Sequence, residues 1–304
     1  MLLVLCRDPL EPNRPDRAFE AEVAAIERLG LPYVLIDHDA LIQGETPARV
    51  VRRVQEQPQP VEAMYRGWMV TPPQYEVLHG LLAARNVKLL NDAEQYRHCH
   101  YLPECYPLIE ALTPKSVWLT GDLGIDRIMA ILAPFGDSPL ILKDFVKSRK
   151  HEWAEACYIP SASDRQSVES VVGRFLELQG EDLAEGLVFR EYIPFRPIGV
   201  HPKSKMPITE EYRIFWLDGE PLYCAPYWEE AVYEGEPSPL ETLSVIASRV
   251  RSQFFTMDVA RRQGGEWMIV ELGDGQVSGL PRATDADPFY ARLAACSPGS
   301  TPKG

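Results

Sequence analysis

The sequence predicts a chain of mixed architecture. An α/β unit covers residues 1–112, further strands and helices follow over 113–190, and a region with two hairpins spans 191–295. Three observations carry this reading. Short apolar runs alternate with amphipathic stretches through the first third, the pattern of strand–helix–strand units with a mostly parallel sheet. Asp218-Gly219 and Gly264-Gly265 each sit between two strand-like runs and read as hairpin turns. Thr113-Pro114 separates the two regimes, and 304 residues suffice for two or three subdomains of about 100–200 residues each.

Leu2–Cys6 reads as a buried first strand, too short for a signal sequence and stopped by Arg7-Asp8. A Pro-rich loop from Pro9 to Pro15 leads to a helix over about Arg17–Leu29. Phe19, Val23, Ile26 and Leu29 lie on one face of it, and Gly30 stops it. Tyr33–Ile36 is a strand. Thr46-Pro47 and Thr71-Pro72 pair a capping hydroxyl with proline at the first helical position. The first opens a helix through Val50, Val51 and Val54, and the second a helix over Leu78–Ala84. Ala63–Tyr65 and Val87–Leu90 are strands, and Asn91-Asp92 caps a helix holding Tyr96. Cys99, His98, His100 and Cys105 match no common zinc spacing, so a helix end packed beneath the next subdomain is expected.

Beyond Thr113, Ser116–Leu119 is a strand and Asp126–Leu132 a helix. An apolar run from Pro139 to Leu142 then ends in Lys143 and a basic, hydroxyl-bearing loop, Lys147-Ser148-Arg149-Lys150-His151. Lysine at a strand end, followed by such a loop, suits a chain of phosphates. A solvated basic loop is the alternative. Asp164–Leu178 is an amphipathic helix stopped by Gly180, and Leu187–Pro194 is a strand that Pro194 cannot extend. Residues 194–209 lack periodicity and read as a mobile loop, on which Lys203 and Lys205 could meet an anion. Glu210–Leu217 alternates and pairs with Pro221–Ala225, which sets Glu211 and Arg213 on one face. An arginine aimed into a cleft can stabilise transferring phosphoryl charge, whereas a Glu–Arg pair on a solvated face would do no chemistry. A helix follows over about Pro239–Gln253, and the tail from Ala295, covering 296–304, reads as disordered.

Phe254–Leu280 is the most informative stretch. Pairing its two runs brings Asp258 near Glu271, and Asp274 follows on the bend Gly273-Asp274-Gly275. Three such carboxylates are hard oxygen ligands of the kind Mg2+ shares with substrate phosphates. An exposed acidic hairpin end remains the alternative on these residues alone.

The net charge of -13 argues against a broad nucleic-acid surface. No apolar run approaches the roughly 20 residues that span a bilayer. Six cysteines without CxxC spacing suit free thiols in a reducing cytoplasm. No Ser/His/Asp or Cys/His arrangement stands out.

The order of Lys143 with Lys147-Ser148, Arg190-Glu191-Tyr192-Ile193, Glu211-Tyr212-Arg213, Asp258 and Glu271 resembles the ATP-grasp superfamily. In particular it resembles a divergent bacterial clade related to the eukaryotic cell-division-cycle assembly factor of a translation initiation factor. The resemblance covers about Thr113–Leu280, and Tyr65–Met69 and Asn91–Tyr106 also look like that clade's N-terminal region. It implies an ATP-grasp fold, with an N-terminal α/β domain and two α+β subdomains sandwiching ATP. On this resemblance Lys143 would touch the α/β-phosphates, and Lys147 and Ser148 would belong to a flexible loop over them. The strand end Arg190-Glu191-Tyr192-Ile193 would line the nucleotide, with Glu191 and the backbone at Ile193 on the adenine edge. Asp258 and Glu271 would bind Mg2+. Arg213, with Glu211 beside it, would meet the γ-phosphate or an acyl-phosphate. Many family members place Asn two positions after the second metal carboxylate. Here that position is Gly273, leaving Asp274 or Gln276 as the third ligand, and the loop Asp144–His151 lacks the usual glycines.

The resemblance implies a carboxylate–amine ligase working through an acyl-phosphate on small-molecule, peptide or protein substrates. The alternatives are an ATP-binding assembly factor that grips a protein partner without ligation and, further off, a phosphotransferase. The N-terminal unit would help select the substrate, with Tyr65, Arg66 and Trp68 as candidates.

Overall fold

A computed structural model describes residues 1–202, 206–229, 231–233, 240–281 and 285–296. The first third is a parallel sheet of β1 (Leu2–Cys6), β2 (Tyr33–Ile36), β3 (Val61–Arg66) and β4 (Val87–Leu89), in the order β2-β1-β3-β4. Its strands are near-continuously apolar because helices cover them. The helix Glu20–Arg28 buries Val23 and Ile26 and ends before Gly30, whose φ of 64° only glycine adopts freely. Thr71 and Asp92 both form full capping boxes, with Gln74 and Gln95, and open the helices Pro72–Ala83 and Ala93–His100. Thr46 differs. It makes no side-chain cap, and its helix is a single turn, Pro47–Val50, although Val50, Val51 and Val54 are buried as expected.

The middle of the chain forms an antiparallel sheet of β5 (Ser116–Thr120), β6 (Leu140–Asp144), β7 (Tyr158–Ile159) and β8 (Gly186–Glu191), ordered β5-β8-β6-β7. The helix Arg165–Gln179, capped by Asp164, packs Val168, Val171, Val172 and Phe175 into the core beneath it.

Residues 194–209 depart from the expected mobile loop. Pro197–Val200 (β9) and Pro207–Thr209 (β10) pair antiparallel, and Phe195 bridges to Arg262. Proline at both strand starts hid this hairpin from a periodicity reading, since each run is too short to alternate visibly. Lys203 and Lys205 lie outside the described residues. Then come β11 (Glu211–Leu217), β12 (Glu220–Pro226), β13 (Phe254–Arg261) and β14 (Trp267–Asp274), in the antiparallel order β12-β11-β13-β14. Asp218 and Gly219 take φ of 52° and 80°, as a tight primed hairpin turn requires. The helix before β13 spans Leu240–Ala247, shorter than expected. Ala295 and Cys296 complete a helix, Asp287–Cys296, whose Phe289, Tyr290 and Leu293 are buried. They are ordered because that face has a core to fill. The expected disorder of 297–304 falls outside the described residues.

One core joins the first and last thirds. Leu3, Leu5 and Met64 of the parallel sheet pack with Phe215, Phe254 and Phe289. Polar staples cross the same seam. The Arg66 guanidinium is buried and donates to both Glu22 carboxylate oxygens and, at 2.7 Å each, to the carbonyls of Gly275 and Ser278. The Asn91 amide donates to the carbonyl of Phe254 at 2.6 Å and accepts from its N–H at 3.0 Å. Tyr65 and Arg66 are therefore committed internally and do not face a substrate. Of the three candidates only Trp68 is exposed, at 45%, with its ring edge against Phe19.

Candidate functional site

The register of the C-terminal ribbon decides which acidic groups meet. Asp258 on β13 is the Cα partner of Glu271 on β14, and on its other side the partner of Arg213 on β11. Arg213 grips Asp258 with two parallel bonds, Nε to Oδ1 at 2.8 Å and Nη2 to Oδ2 at 2.7 Å. Glu271 accepts from Lys143 Nζ at 2.9 Å. That bond crosses from the middle sheet to the ribbon, 128 positions apart in sequence. The Lys143 side chain is only 6% exposed.

Burial alone would push Glu271 up, but Lys143 and Lys150 overcome it and pull its carboxyl down to about 2. Burial also works against the charge on Arg213, and the Asp258 carboxylate more than offsets it. Asp258 is raised by its own burial against the pull of Arg213. Glu211 is buried too. One of its oxygens accepts from Trp228 Nε1 at 3.2 Å and the other has no partner among the described residues. Burial pushes it up to about 7, against the opposing pull of Lys150.

Asp274 does not join the metal-side pair. Its strand partner is Phe255, so alternation turns it off the face shared by Asp258 and Glu271. Its carboxylate accepts from the Asn91 amide at 2.5 Å and the Gln276 N–H at 2.9 Å. Among the described residues no cation pairs with it, and burial raises it to about 7 against the hydrogen bonds of Asn91 and Gln276 and the pull of Arg66. Gln276 is likewise occupied, bonded to Tyr75 at 2.6 Å and the Tyr65 N–H at 3.1 Å. Among the described residues, no three His, Cys, Asp or Glu side chains gather as a metal cluster. Gly273 has its own reason: a Cβ there would stand 2.7 Å from Thr256 Oγ1 and 2.9 Å from Ser278 Oγ.

Between the middle sheet and the ribbon lies a cavity of about 280 Å³. At one end are Lys143, Ser148, Lys150, Glu211 and Glu271. At the other, Glu191, Tyr192 and Ile193 line it where β8 ends. The amides of Glu191 and Tyr192 bond to the carbonyls of Lys115 and Pro139, both at 2.8 Å. The N–H and C=O of Ile193 make no hydrogen bond among the described residues. Arg190 borders the cavity but is tied to the Val270 carbonyl at 2.6 Å and Thr113 Oγ1 at 2.8 Å.

The basic loop closes in a tight turn. Asp144 Oδ1 accepts the N–H groups of Val146 and Lys147 at 2.7 and 2.6 Å, and Lys143 bridges to Ser148. Ser148 and Lys150, two positions apart, line the cavity, whereas Lys147 lines only a separate cavity beside Thr71 and Gln74, which Ser148 also borders. Lys150 was the residue missed. It sits over the rings of Tyr227 and Trp228 at 5.0 and 5.3 Å, where cation–π attraction supports a desolvated charge. Burial opposes that charge, but Tyr227, Glu211 and Glu271 hold the amine protonated. The period of two from Ser148 could have singled it out. Nothing in the sequence announced Tyr227, Trp228 or Trp153.

His98, Cys99, His100 and Cys105 form no shared site. His98 Nδ1 meets Arg251 at 3.3 Å, His100 stacks on Tyr96 at 4.8 Å, and both cysteines are buried in the core.

Two antiparallel sheets that face each other across a cleft, with lysines on one and paired carboxylates on the other, define the ATP-grasp class of nucleotide-binding proteins. The family model for the ATP-grasp domain, R-2-K clade family 3, matches residues 134–293, just over half of the chain, and the chain belongs to that family. No curated protein matches the sequence. Among solved structures, it is similar to a RimK domain protein ATP-grasp from Sphaerobacter thermophilus. The TM-score is 0.59 at 16% identity, covering 97% of this chain and 100% of that one. It is similar to the D-cycloserine synthetase DcsG at a TM-score of 0.59 and 13% identity, covering 97% and 99% of the two chains. The ATP-grasp ligase PsnB, solved with a minimal precursor, Mg and ADP, matches at a TM-score of 0.55 and 13% identity, covering 96% and 97%. At these identities the likeness establishes the shared fold. No helix among the described residues is long and apolar enough to cross a membrane.

Proposed function

We propose that this chain is an ATP- and Mg2+-dependent carboxylate–amine ligase that works through an acyl-phosphate. The observation that carries the reading is the Lys143–Glu271 bond across the cleft, with Glu271 in register with Asp258 and Asp258 clamped by Arg213. Lysines from one sheet and carboxylates from the other bracket a space that a triphosphate and a divalent cation would fill together.

The donor set fits magnesium. Asp258 and Glu271 are hard oxygen donors, and Glu271 is held ionised. Two protein carboxylates with substrate phosphates completing the shell is the usual arrangement for this ion. Bound there, Mg2+ would neutralise charge on the phosphate oxygens. Lys143 and Lys150 would lie along the phosphates with Ser148, and Lys147 would act from the neighbouring cavity. The free N–H and C=O of Ile193 suit the donor–acceptor edge of adenine, with Arg190, Glu191 and Tyr192 as the surrounding wall. Arg213 would stand at the γ-phosphate end with Glu211 nearby. Asp274 would hold the ribbon to the N-terminal sheet and bind no metal.

The chemistry needs no enzyme nucleophile. A substrate carboxylate attacks the γ-phosphorus and ADP leaves. An amine then displaces phosphate from the acyl-phosphate. The protein's part is alignment and charge neutralisation in a site shielded from water. PsnB was solved with a precursor, which supports a peptide or protein as one class of acceptor here, and DcsG supports a small molecule. The test is ADP release that requires both a carboxylate and an amine. ADP release that ignores both, with stable capture of a protein partner instead, would favour an ATP-binding assembly factor.

A further inference from the structure

Two cavities flank the metal-side carboxylates away from the adenine end. The inner one is small, about 60 Å³, and its charged lining is Lys143, Arg213, Asp258, Glu271 and Asp274. The outer one is wide, about 520 Å³, and runs between the start of the helix Pro72–Ala83 and the basic loop, past Thr71, Gln74 and Lys147. Met69, His100 and Val146 line both and so stand between them. His100 is the one titratable group of the three.

Its setting is built. The ring stacks on Tyr96 at 4.8 Å with 28° between planes, and Tyr101 packs at 5.7 Å. Neither ring nitrogen has a hydrogen-bond partner among the described residues. The aromatic packing therefore fixes the ring while leaving its nitrogens for something else. The helix carrying it, Ala93–His100, belongs to the N-terminal unit, which no step of the ligase reading yet uses.

We propose that His100, which borders both cavities, is the proton acceptor for the amine that attacks the acyl-phosphate. This rests on the ligase reading above and adds a catalytic group to it. The amine nitrogen forms a bond to the acyl carbon, and the carbon–oxygen bond to phosphate breaks, its electron pair leaving with phosphate. The proton lost by nitrogen goes to the imidazole and then, through the wide outer cavity, to water. No oxidant or further reactant is needed.

Burial, with Lys147 and Lys143, presses the imidazole down to about 4, and Glu271 pulls it the other way. Arg213, Asp258 and Asp274 complete the charged groups lining the inner side, and Asp144, Arg149, His151, Glu152 and Asp182 are the others on the outer side. A triphosphate beside Lys143 would offset the two lysines that act with burial to hold His100 neutral. The base would then strengthen when nucleotide binds.

The experiment has two arms. The first follows imidazole nitrogen shifts of the full chain against pH, with His100 assigned through His100→Gln, with and without Mg2+ and AMPPNP. The expected result is an upward move of the His100 midpoint by at least one pH unit on binding, with His79 unmoved. An unmoved His100 in protein shown by calorimetry to hold Mg2+–AMPPNP overturns the proposal and leaves the ligase reading standing. Failure of the unaltered chain to bind Mg2+–AMPPNP removes both. The second arm measures ADP release with ATP, Mg2+ and a pool of the twenty amino acids. His100→Ala is expected to slow it roughly hundredfold, the lower end of general-base contributions. Added imidazole should restore part of the rate, and AMPPNP affinity should stay within twofold. An undiminished rate in that variant overturns the proposal.

Discussion

Glu271 and Asp274 stand three residues apart on the same strand, yet their surroundings drive them in opposite directions. Glu271 is pulled to about 2 and Asp274 pushed to about 7. Both lose water. Glu271 gains Lys143 and Lys150 in exchange, whereas Asp274 gains the neutral amide of Asn91 and the N–H of Gln276. The odd spacing sends them to opposite faces of the ribbon. One carboxylate is thereby left as a charged, half-exposed ligand candidate in a cleft, and the other becomes part of a seam. Buried arginines divide the same way. Arg213 clamps Asp258 at the cleft, and Arg66 clamps Glu22 beneath it.

Removing the seam should cost the most stability. Arg66→Ala strands Glu22 without its cation, and loss of one partner of a buried pair costs about 3–5 kcal/mol. Urea unfolding should show that loss, and a change below about 1 kcal/mol would break the distinction between seam and cleft. On the cleft side, Lys143→Ala should cut ADP formation at least hundredfold, about 2.7 kcal/mol in barrier terms. It should also let the Glu271 carboxyl rise toward the ordinary carboxylate range, which carboxyl NMR would follow.

Asp274→Asn sharpens the contrast through pH. A carboxyl whose folded pKa is raised favours folding while protonated. Its contribution is full below about 4 and is lost as pH rises through about 7. Folding stability should therefore fall over that window by on the order of 2–4 kcal/mol from this group. The asparagine variant should flatten that part of the curve while its Mg2+-dependent nucleotide affinity stays within twofold. A loss of Mg2+ affinity would instead return Asp274 to the metal. Smallest is Gly273→Ala. Its Cβ would crowd the Thr256 and Ser278 hydroxyls, which can rotate away, so about 1–2 kcal/mol of stability is expected. Chemical denaturation would check it.

The contrast also explains what could be read from the sequence. The parallel N-terminal sheet, both capping boxes and the hairpins at Asp218-Gly219 and Gly264-Gly265 are local signals, carried by cap residues, apolar periodicity and turn glycines. The opposition of Asp258 and Glu271 follows from one hairpin, and Lys143 from a charge closing an apolar run. Other features need partners far away in the chain. Asp274 accepts from Asn91, 183 positions earlier, which no local pattern shows. The setting of Lys150 is likewise invisible locally, because its support is a pair of rings just past the end of β12. The β9–β10 hairpin is held partly by Arg262, beyond any local pattern.

The central claim is that lysines of the middle sheet and carboxylates of the ribbon grip one triphosphate and one divalent cation between them. Calorimetry of the full chain with AMPPNP, in the presence and absence of Mg2+, tests it most directly. The account predicts saturable binding that strengthens at least tenfold with Mg2+ and loses that gain in Asp258→Asn. Binding that is absent in well-folded protein, or indifferent to both Mg2+ and Asp258, would contradict it.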